Sequence, residues 1–211
     1  MKKNKFIVLE GIEGSGKTEM LIYLKQILKK KNIENIICVR EPGGTIISEK
    51  LRSIIKQEIK NDKISDETEI LLFYASRMQL IKNKIIPELK NGNWIISDRY
   101  NLSTIAYQSV KKKNKKLIKN LTKMLIKNFQ PDLTIYFDTI PSIGLNRIIK
   151  RKNIDRIEKK GIKFFIKVRK NYLKEIKKIS EKIIINASLE KKYVKKKLKK
   201  KFINWLNKNA K

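Results

Sequence analysis

Five short apolar runs punctuate this 211-residue chain. They are Phe6–Glu10, Ile36–Val39, Trp94–Ser97, Leu133–Phe137 and Ile183–Ile185. Each is rich in branched side chains and has little of the in-out alternation of a half-exposed strand. That pattern predicts strands buried on both faces of a parallel sheet. Between the runs the apolar period changes to three and four. Leu21, Leu24 and Leu28 mark a helix over 17–30. Val194, Leu198, Phe202 and Trp205 make one stripe of a helix over 189–206. Further helices are predicted near 48–60, 66–89, 103–128, 141–151 and 163–179. Pro87 is expected to interrupt the long 66–89 stretch, whereas Pro131 and Pro141 fall at element starts, where proline is tolerated. Strand alternating with helix predicts an α/β fold, a mostly parallel sheet flanked by helices on both faces. Without an internal repeat or a Gly/Ser linker, one domain over 1–211 is expected.

Composition changes this picture mainly by exclusion. The chain has no histidine, so chemistry that needs a catalytic His or a His metal ligand is ruled out. A single cysteine, Cys38, rules out a disulfide framework or a Cys-rich zinc site. The net charge of +32 suggests a polyanion partner. But 44 Lys and 37 Ile stand against 8 Arg and 8 Gly, the signature of AT-rich codon usage. Charge arising that way is weak evidence of a dedicated nucleic-acid partner, and none is expected. The lysine runs 111–116 and 195–201 read as solvated faces. No run resembles a membrane span or a signal segment, so a cytoplasmic protein without a membrane partner is expected.

Where arginine and glycine are scarce, their positions carry information. Gly11-Ile12-Glu13-Gly14-Ser15-Gly16-Lys17-Thr18 fits G-x-x-x-x-G-K-[ST] after a strand and before a helix. In such a loop, backbone N–H groups and a helix N-terminus cradle phosphate. Lys17 would reach the β- and γ-phosphate oxygens of ATP, and the Thr18 hydroxyl would hold Mg²⁺. By itself this signals a nucleoside triphosphate. A nucleotide kinase, a motor or GTPase and a nucleic-acid-dependent ATPase all remain open.

Four more segments narrow the choice: Arg40-Glu41-Pro42-Gly43-Gly44-Thr45, Phe73-Tyr74-Ala75-Ser76-Arg77, Asp98-Arg99-Tyr100 with Ser103 to Gln108, and Asp155-Arg156-Ile157-Glu158. With the phosphate loop, in this order and spacing, the chain resembles the thymidylate kinases, which phosphorylate dTMP with ATP. The resemblance spans about residues 5–187. It implies a P-loop nucleoside monophosphate kinase fold: a five-stranded parallel sheet flanked by helices, with a short lid (here about 144–158), usually as a homodimer.

The resemblance also assigns residues. Phe73 and Arg77, one turn apart on a helix, would stack a base and donate to a thymine carbonyl. Asp98 would support the Mg²⁺ shell, and Arg99, with Arg52, would grip the acceptor phosphate. Thr104, Tyr107 and Gln108 would line the base and sugar pocket, with Tyr107 crowding a 2′-hydroxyl. Glu13 would meet the 3′-hydroxyl, and Glu41 is a further substrate contact. Some members carry a catalytic arginine just after the loop's acid. Here that position is Gly14, so the lid must supply it, as in the subtype typical of bacteria. Arg147 and Arg151 are the candidates, with Lys150 and Arg156 beside them. Asn186 stands where the family often has Asp, near the expected adenine. A deoxynucleoside kinase acting on thymidine and a nucleic-acid-binding ATPase are the competing readings.

Overall fold

The computed structural model describes residues 4–149 and 155–209. The five apolar runs form β1 (Phe6–Glu10), β2 (Ile36–Arg40), β3 (Trp94–Asp98), β4 (Leu133–Asp138) and β5 (Lys182–Asn186). All pairings are parallel, in the order β2-β3-β1-β4-β5. The three inner strands are buried almost throughout, as unbroken apolar runs require, while the edge strands are only partly buried: β5 alternates, and β2 buries Ile36 and Val39 alone.

Helices cover both faces. They are α1 (Lys17–Lys29), α2 (Ile46–Lys56), α3 (Asp66–Leu80), α4 (Ile86–Lys90), α5 (Asn101–Gln108), α6 (Asn114–Leu121), α7 (Pro141–Ile149), α8 (Gly161–Glu175) and α9 (Lys191–Asn209). Ile7 and Leu9 of β1 face a core built with Leu24 and Leu28 of α1 and the Val194, Leu198, Phe202, Trp205 stripe of α9. Phe6 and Val8 face the opposite core, with Ile70 and Tyr74 of α3 and Ile118 of α6. A third cluster joins Ile12, Tyr107, Tyr136, Phe165 and Tyr172 around the phosphate loop. Each fully buried large apolar side chain contributes roughly 1.5–3 kcal/mol.

Two helical stretches differ from expectation. The 66–89 stretch stays helical past Pro87, because a π-helical turn at Ile81–Ile85 precedes the proline and α4 takes it in its first turn. The 103–128 stretch breaks after Gln108. There the buried Asn114 Nδ2 takes the Gln108 carbonyl at 3.0 Å, and the turn brings Lys111 and Lys113 to Asp66 and Glu67. A second π-turn, Thr122–Ile126, follows α6. Among the described residues, no helix is long and apolar enough to cross a membrane.

Each strand ends, at the same edge of the sheet, on a polar residue: Glu10, Arg40, Asp98, Asp138 and Asn186. Register places Asp98 level with both Arg40 and Leu9, and Asp138 level with Asn186. The chain leaves β1 for one side of the sheet and crosses to the other between β3 and β4. The loop after β1 therefore opens at the topological switch point, where open α/β sheets bind ligands.

Candidate active site

The loop after β1 turns on glycines. Gly14 has φ +71° and Gly16, the residue before α1, has φ +83°, both in the left-handed region. Gly14 also lies against α7: a Cβ there would stand 2.2 Å from the Gly144 carbonyl oxygen. Two glycines thus let the loop and α7 touch backbone to backbone. Arg147, one turn beyond Gly144, donates through Nη1 to the Gly14 carbonyl at 3.1 Å and to the Ala187 carbonyl at 3.0 Å. It ties the phosphate loop to the turn after β5, where Asn186 Oδ1 accepts from the Ser188 N–H.

Lys17 is folded back on its own loop, donating to the Gly11 and Ile12 carbonyls at 3.0 and 2.9 Å and to Ser15 Oγ. Burial, with Arg99 nearby, lowers its ammonium to about 8. Thr18 Oγ1 donates to Asp98 Oδ2 at 3.3 Å, while Asp98 Oδ1 is buried without a partner. Among the described residues, no cluster of three or more Asp, Glu or Cys could hold a metal by itself. Thr18 and Asp98 are a donor pair suited to Mg²⁺, which takes one or two protein ligands and completes its shell with phosphate and water.

Arg99 is the hub of the site. Its backbone is left-handed (φ +76°), a costly state for a residue with a Cβ. Its N–H reaches the Leu9 carbonyl at 2.9 Å. Nη1 donates to the Gly11 carbonyl, Ser103 Oγ and Tyr172 OH; Nη2 meets Glu13 Oε1 at 2.8 Å. The guanidinium lies 5.3 Å from the Tyr107 ring centroid, and Tyr107 OH donates to the other oxygen of Glu13. Burial opposes the charge of Arg99, but Glu13 and the two tyrosines outweigh it and hold the group well above its ordinary value.

Beneath Arg99 lies Glu10, which no motif had singled out. Its carboxyl is fully buried and accepts from the Tyr100 and Ser103 N–H groups, Ser103 Oγ and Tyr172 OH. Burial raises its pKa, and the Ser103 hydrogen bond opposes the shift. Through these bonds the end of β1 fixes the start of α5, and with it Arg99. The only trace in sequence is a charged residue closing an apolar run.

Arg77, 2% exposed, reaches Glu41 Oε2 at 2.7 Å, the Tyr100 carbonyl at 3.2 Å, Thr104 Oγ1 at 2.8 Å and Asn101 Oδ1 at 3.3 Å. Burial pushes the Glu41 carboxyl up to about 7, against the pull of Arg77. Arg52 Nη1 donates to the Pro42 carbonyl at 2.7 Å. Half-buried Phe73 stands beside Arg77. Gln108 donates through Nε2 to Glu69 Oε1 at 2.9 Å. Arg156, read from sequence as part of the lid, donates to the other oxygen of Glu69 and to the Ile55 carbonyl. Asp155 pairs with Lys56 at 2.6 Å and caps the turn at Glu158–Lys160. Residues 144–149 belong to α7; Lys150 and Arg151 lie outside the described residues.

These groups surround one cavity of about 440 Å³, a size suited to a small ligand. Glu13, Gly14, Gly16, Lys17 and Thr18 of the phosphate loop line it together with Phe73, Arg77, Thr104, Tyr107 and Gln108. Glu41, Arg52, Asp98, Arg99 and Arg147 lie in the same wall. Among the described residues, the buried side-chain polar atoms without a partner are Glu41 Oε1, Asp98 Oδ1 and Gln108 Oε1. All three residues line this cavity. A buried unpaired acceptor costs about 1–3 kcal/mol, so three around one space mark where ligand donors or a cation belong.

The family model described as thymidylate kinase matches residues 9–198. A thymidylate kinase of Buchnera aphidicola subsp. Acyrthosiphon pisum (strain APS) is 49% identical over 211 residues, covering 100% of both chains. Those of Vibrio parahaemolyticus and Shewanella loihica are 43% and 41% identical, each over 89% of this chain and 90% of their own.

Proposed function

This chain belongs to the thymidylate kinase family, ATP-dependent enzymes that turn dTMP into dTDP, and on that premise we propose how its own residues carry the reaction. The observation that carries the reading is one cavity lined by both the phosphate loop and a buried arginine, with three orphaned acceptors in its wall.

ATP binds with its phosphates in the curl of Gly11, Ile12, Glu13, Gly14, Ser15, Gly16, Lys17 and Thr18. Lys17 exchanges the Gly11 and Ile12 carbonyls for phosphate oxygens. Thr18 and Asp98 hold Mg²⁺, whose role when bound is to neutralise charge gathering on the transferring group. The orphaned Asp98 Oδ1 and the nearby Thr18 hydroxyl fit that ion.

dTMP lies with its base against Phe73, a carbonyl toward Arg77, and its remaining edge toward Thr104 and Gln108. Glu41 holds Arg77 in place and offers its free oxygen to the nucleotide. Glu13 and Tyr107 meet the sugar, and Arg99 and Arg52 grip the acceptor phosphate. A phosphate oxygen of dTMP attacks the γ-phosphorus as the bond to the β-phosphate oxygen breaks, releasing ADP. The attacking oxygen belongs to a group whose second pKa is about 6, so it needs no general base at neutral pH. A chain without histidine suffices. Arg147 and Arg151 supply the cation that stabilises the transferring group, with Arg147 already seated on the phosphate loop.

The chain acts as a single domain with a lid over about 144–158, in the cytoplasm where its nucleotides are. A homodimer is supported by exposed Ile46 (81%), Ile47 and Ile54 on α2 beside exposed Leu71 on α3, an apolar face that a second copy would cover. Sedimentation should give twice the 24.9 kDa chain mass, and a monomer would count against it. For the activity, ADP formation should be far faster with dTMP than with dCMP, dGMP, AMP or thymidine. Equal rates, a preference for thymidine, or ATP hydrolysis stimulated by nucleic acid without dTMP would refute it.

A further inference from the structure

Glu69 belongs to none of the recognised motifs and does not line the cavity, yet it is a carboxylate only 6% exposed in the first turns of α3. Both of its oxygens are engaged. Oε1 accepts from Gln108 Nε2 at 2.9 Å, and Oε2 accepts from Arg156, which also holds the Ile55 carbonyl. Gln108 is 7% exposed, and its Oε1 is left buried and unpartnered at the cavity wall.

An amide side chain is ambiguous. Rotated by half a turn, it exchanges a donor for an acceptor at the same place. With Arg156 donating to its other oxygen, the Glu69 carboxylate offers Gln108 only an acceptor. The reversed amide would set a carbonyl against a carboxylate. We propose that Glu69 is the positioning residue that makes the pocket read a ring N–H: by accepting from Gln108 Nε2, it commits Gln108 Oε1 to act as the acceptor facing the base. Thymine carries a donor at N3, whereas cytosine carries a lone pair there and meets acceptor against acceptor. This rests on the assignment of the cavity to dTMP made above.

Replacing Glu69 by Gln tests it at nearly constant volume. The new amide can satisfy Arg156 only with its oxygen, so it turns its NH₂ toward Gln108. Gln108 then reverses and presents a donor to the base. The readouts are the KM for dTMP and the Ki of dCMP as a competitor, both independent of the fraction of folded enzyme. In E69Q the KM for dTMP should rise and the Ki of dCMP should fall, shrinking the preference for dTMP by about tenfold or more. In Q108L the preference should also shrink, and E69Q added to Q108L should change it no further, because the two residues act through one amide. A wild-type preference in E69Q, with only thermal stability altered, would overturn the inference while leaving the base site intact. A double mutant with additive effects would also overturn it. A wild-type KM and Ki in Q108L would instead sink the assignment of Gln108 to the base site, and this inference with it.

Discussion

Gly14 and Gly16 offer a matched pair of substitutions that separates backbone strain from packing. Both have left-handed backbone, at φ +71° and +83°. An alanine at either pays the left-handed penalty of roughly 1–2 kcal/mol. They differ in what the new methyl meets. At position 16 no heavy atom lies within 4 Å. At position 14 the Cβ would stand 2.2 Å from the Gly144 carbonyl oxygen, 2.8 Å from its carbon and 2.9 Å from its Cα. All three are backbone atoms of α7, so relief requires the helix to move, an overpacking cost of about 1–3 kcal/mol. Gly14→Ala should therefore cost about 2–5 kcal/mol in all, against about 1–2 for Gly16→Ala. For a chain of this size each kcal/mol lowers Tm by roughly 2–4 °C. Thermal melts of the ligand-free proteins by circular dichroism should place Gly14→Ala about 2–12 °C below Gly16→Ala. Equal melting temperatures would show that the loop and α7 are not in backbone contact, and would remove the seat described for Arg147.

Three further outcomes follow from the site. Arg77→Ala should raise the KM for dTMP while leaving that for ATP nearly unchanged; because it strands the buried Glu41 carboxyl, it should also destabilise the fold by about 3–5 kcal/mol in denaturant titrations. Glu41, raised to about 7 in the folded protein, binds its proton more tightly there than in the unfolded chain. Its contribution to stability is thus fully present below about 4.5 and is lost as pH rises through about 7. Wild type should lose stability relative to Glu41→Gln between pH 5 and 8, and a constant difference would contradict the burial of that carboxyl. Lys17, lowered to about 8, should regain its proton when ATP phosphates replace the loop carbonyls. Binding at pH 8 should then take up about half a proton, seen as calorimetric heats that vary with the buffer's ionisation enthalpy; heats independent of buffer would refute it.

The strands were readable because inner parallel strands need unbroken apolar runs, and β1, β3 and β4 carry them. The polar residue that closes several of them, such as Arg40, Asp98 and Asp138, was left out because hydrophobicity does not mark where a ladder ends. The phosphate loop was readable because its chemistry is local. Glu10 and Glu69 were not, since their roles depend on partners distant in sequence: Tyr100, Ser103 and Tyr172 for one, Gln108 and Arg156 for the other. The same holds for Arg147 in the last turn of α7 and Arg156 ahead of α8. Sequence shows cations there, but not the carbonyls at element ends that receive them: Gly14 and Ala187 for Arg147, and Ile55 for Arg156. The break after Gln108 was hidden because a buried Asn114, not a proline or glycine, stops the helix.

The strand order is also a timetable. β1 pairs with β3 and β4, and β2 pairs only with β3, so neither of the first two strands has a neighbour until residue 94 and beyond has been made. At a ribosomal pace of about 5–20 residues per second, the apolar β1 waits roughly 4–20 s for its first ladder. The phosphate loop hanging from it has no Asp98 or Arg99 to meet before then. A nascent chain stopped short of β3 holds the nucleotide-binding sequence but no sheet to mount it on. The emergence of residues 94–99 is thus the moment at which the phosphate loop first gains a neighbouring strand, and Asp98 and Arg99 to meet.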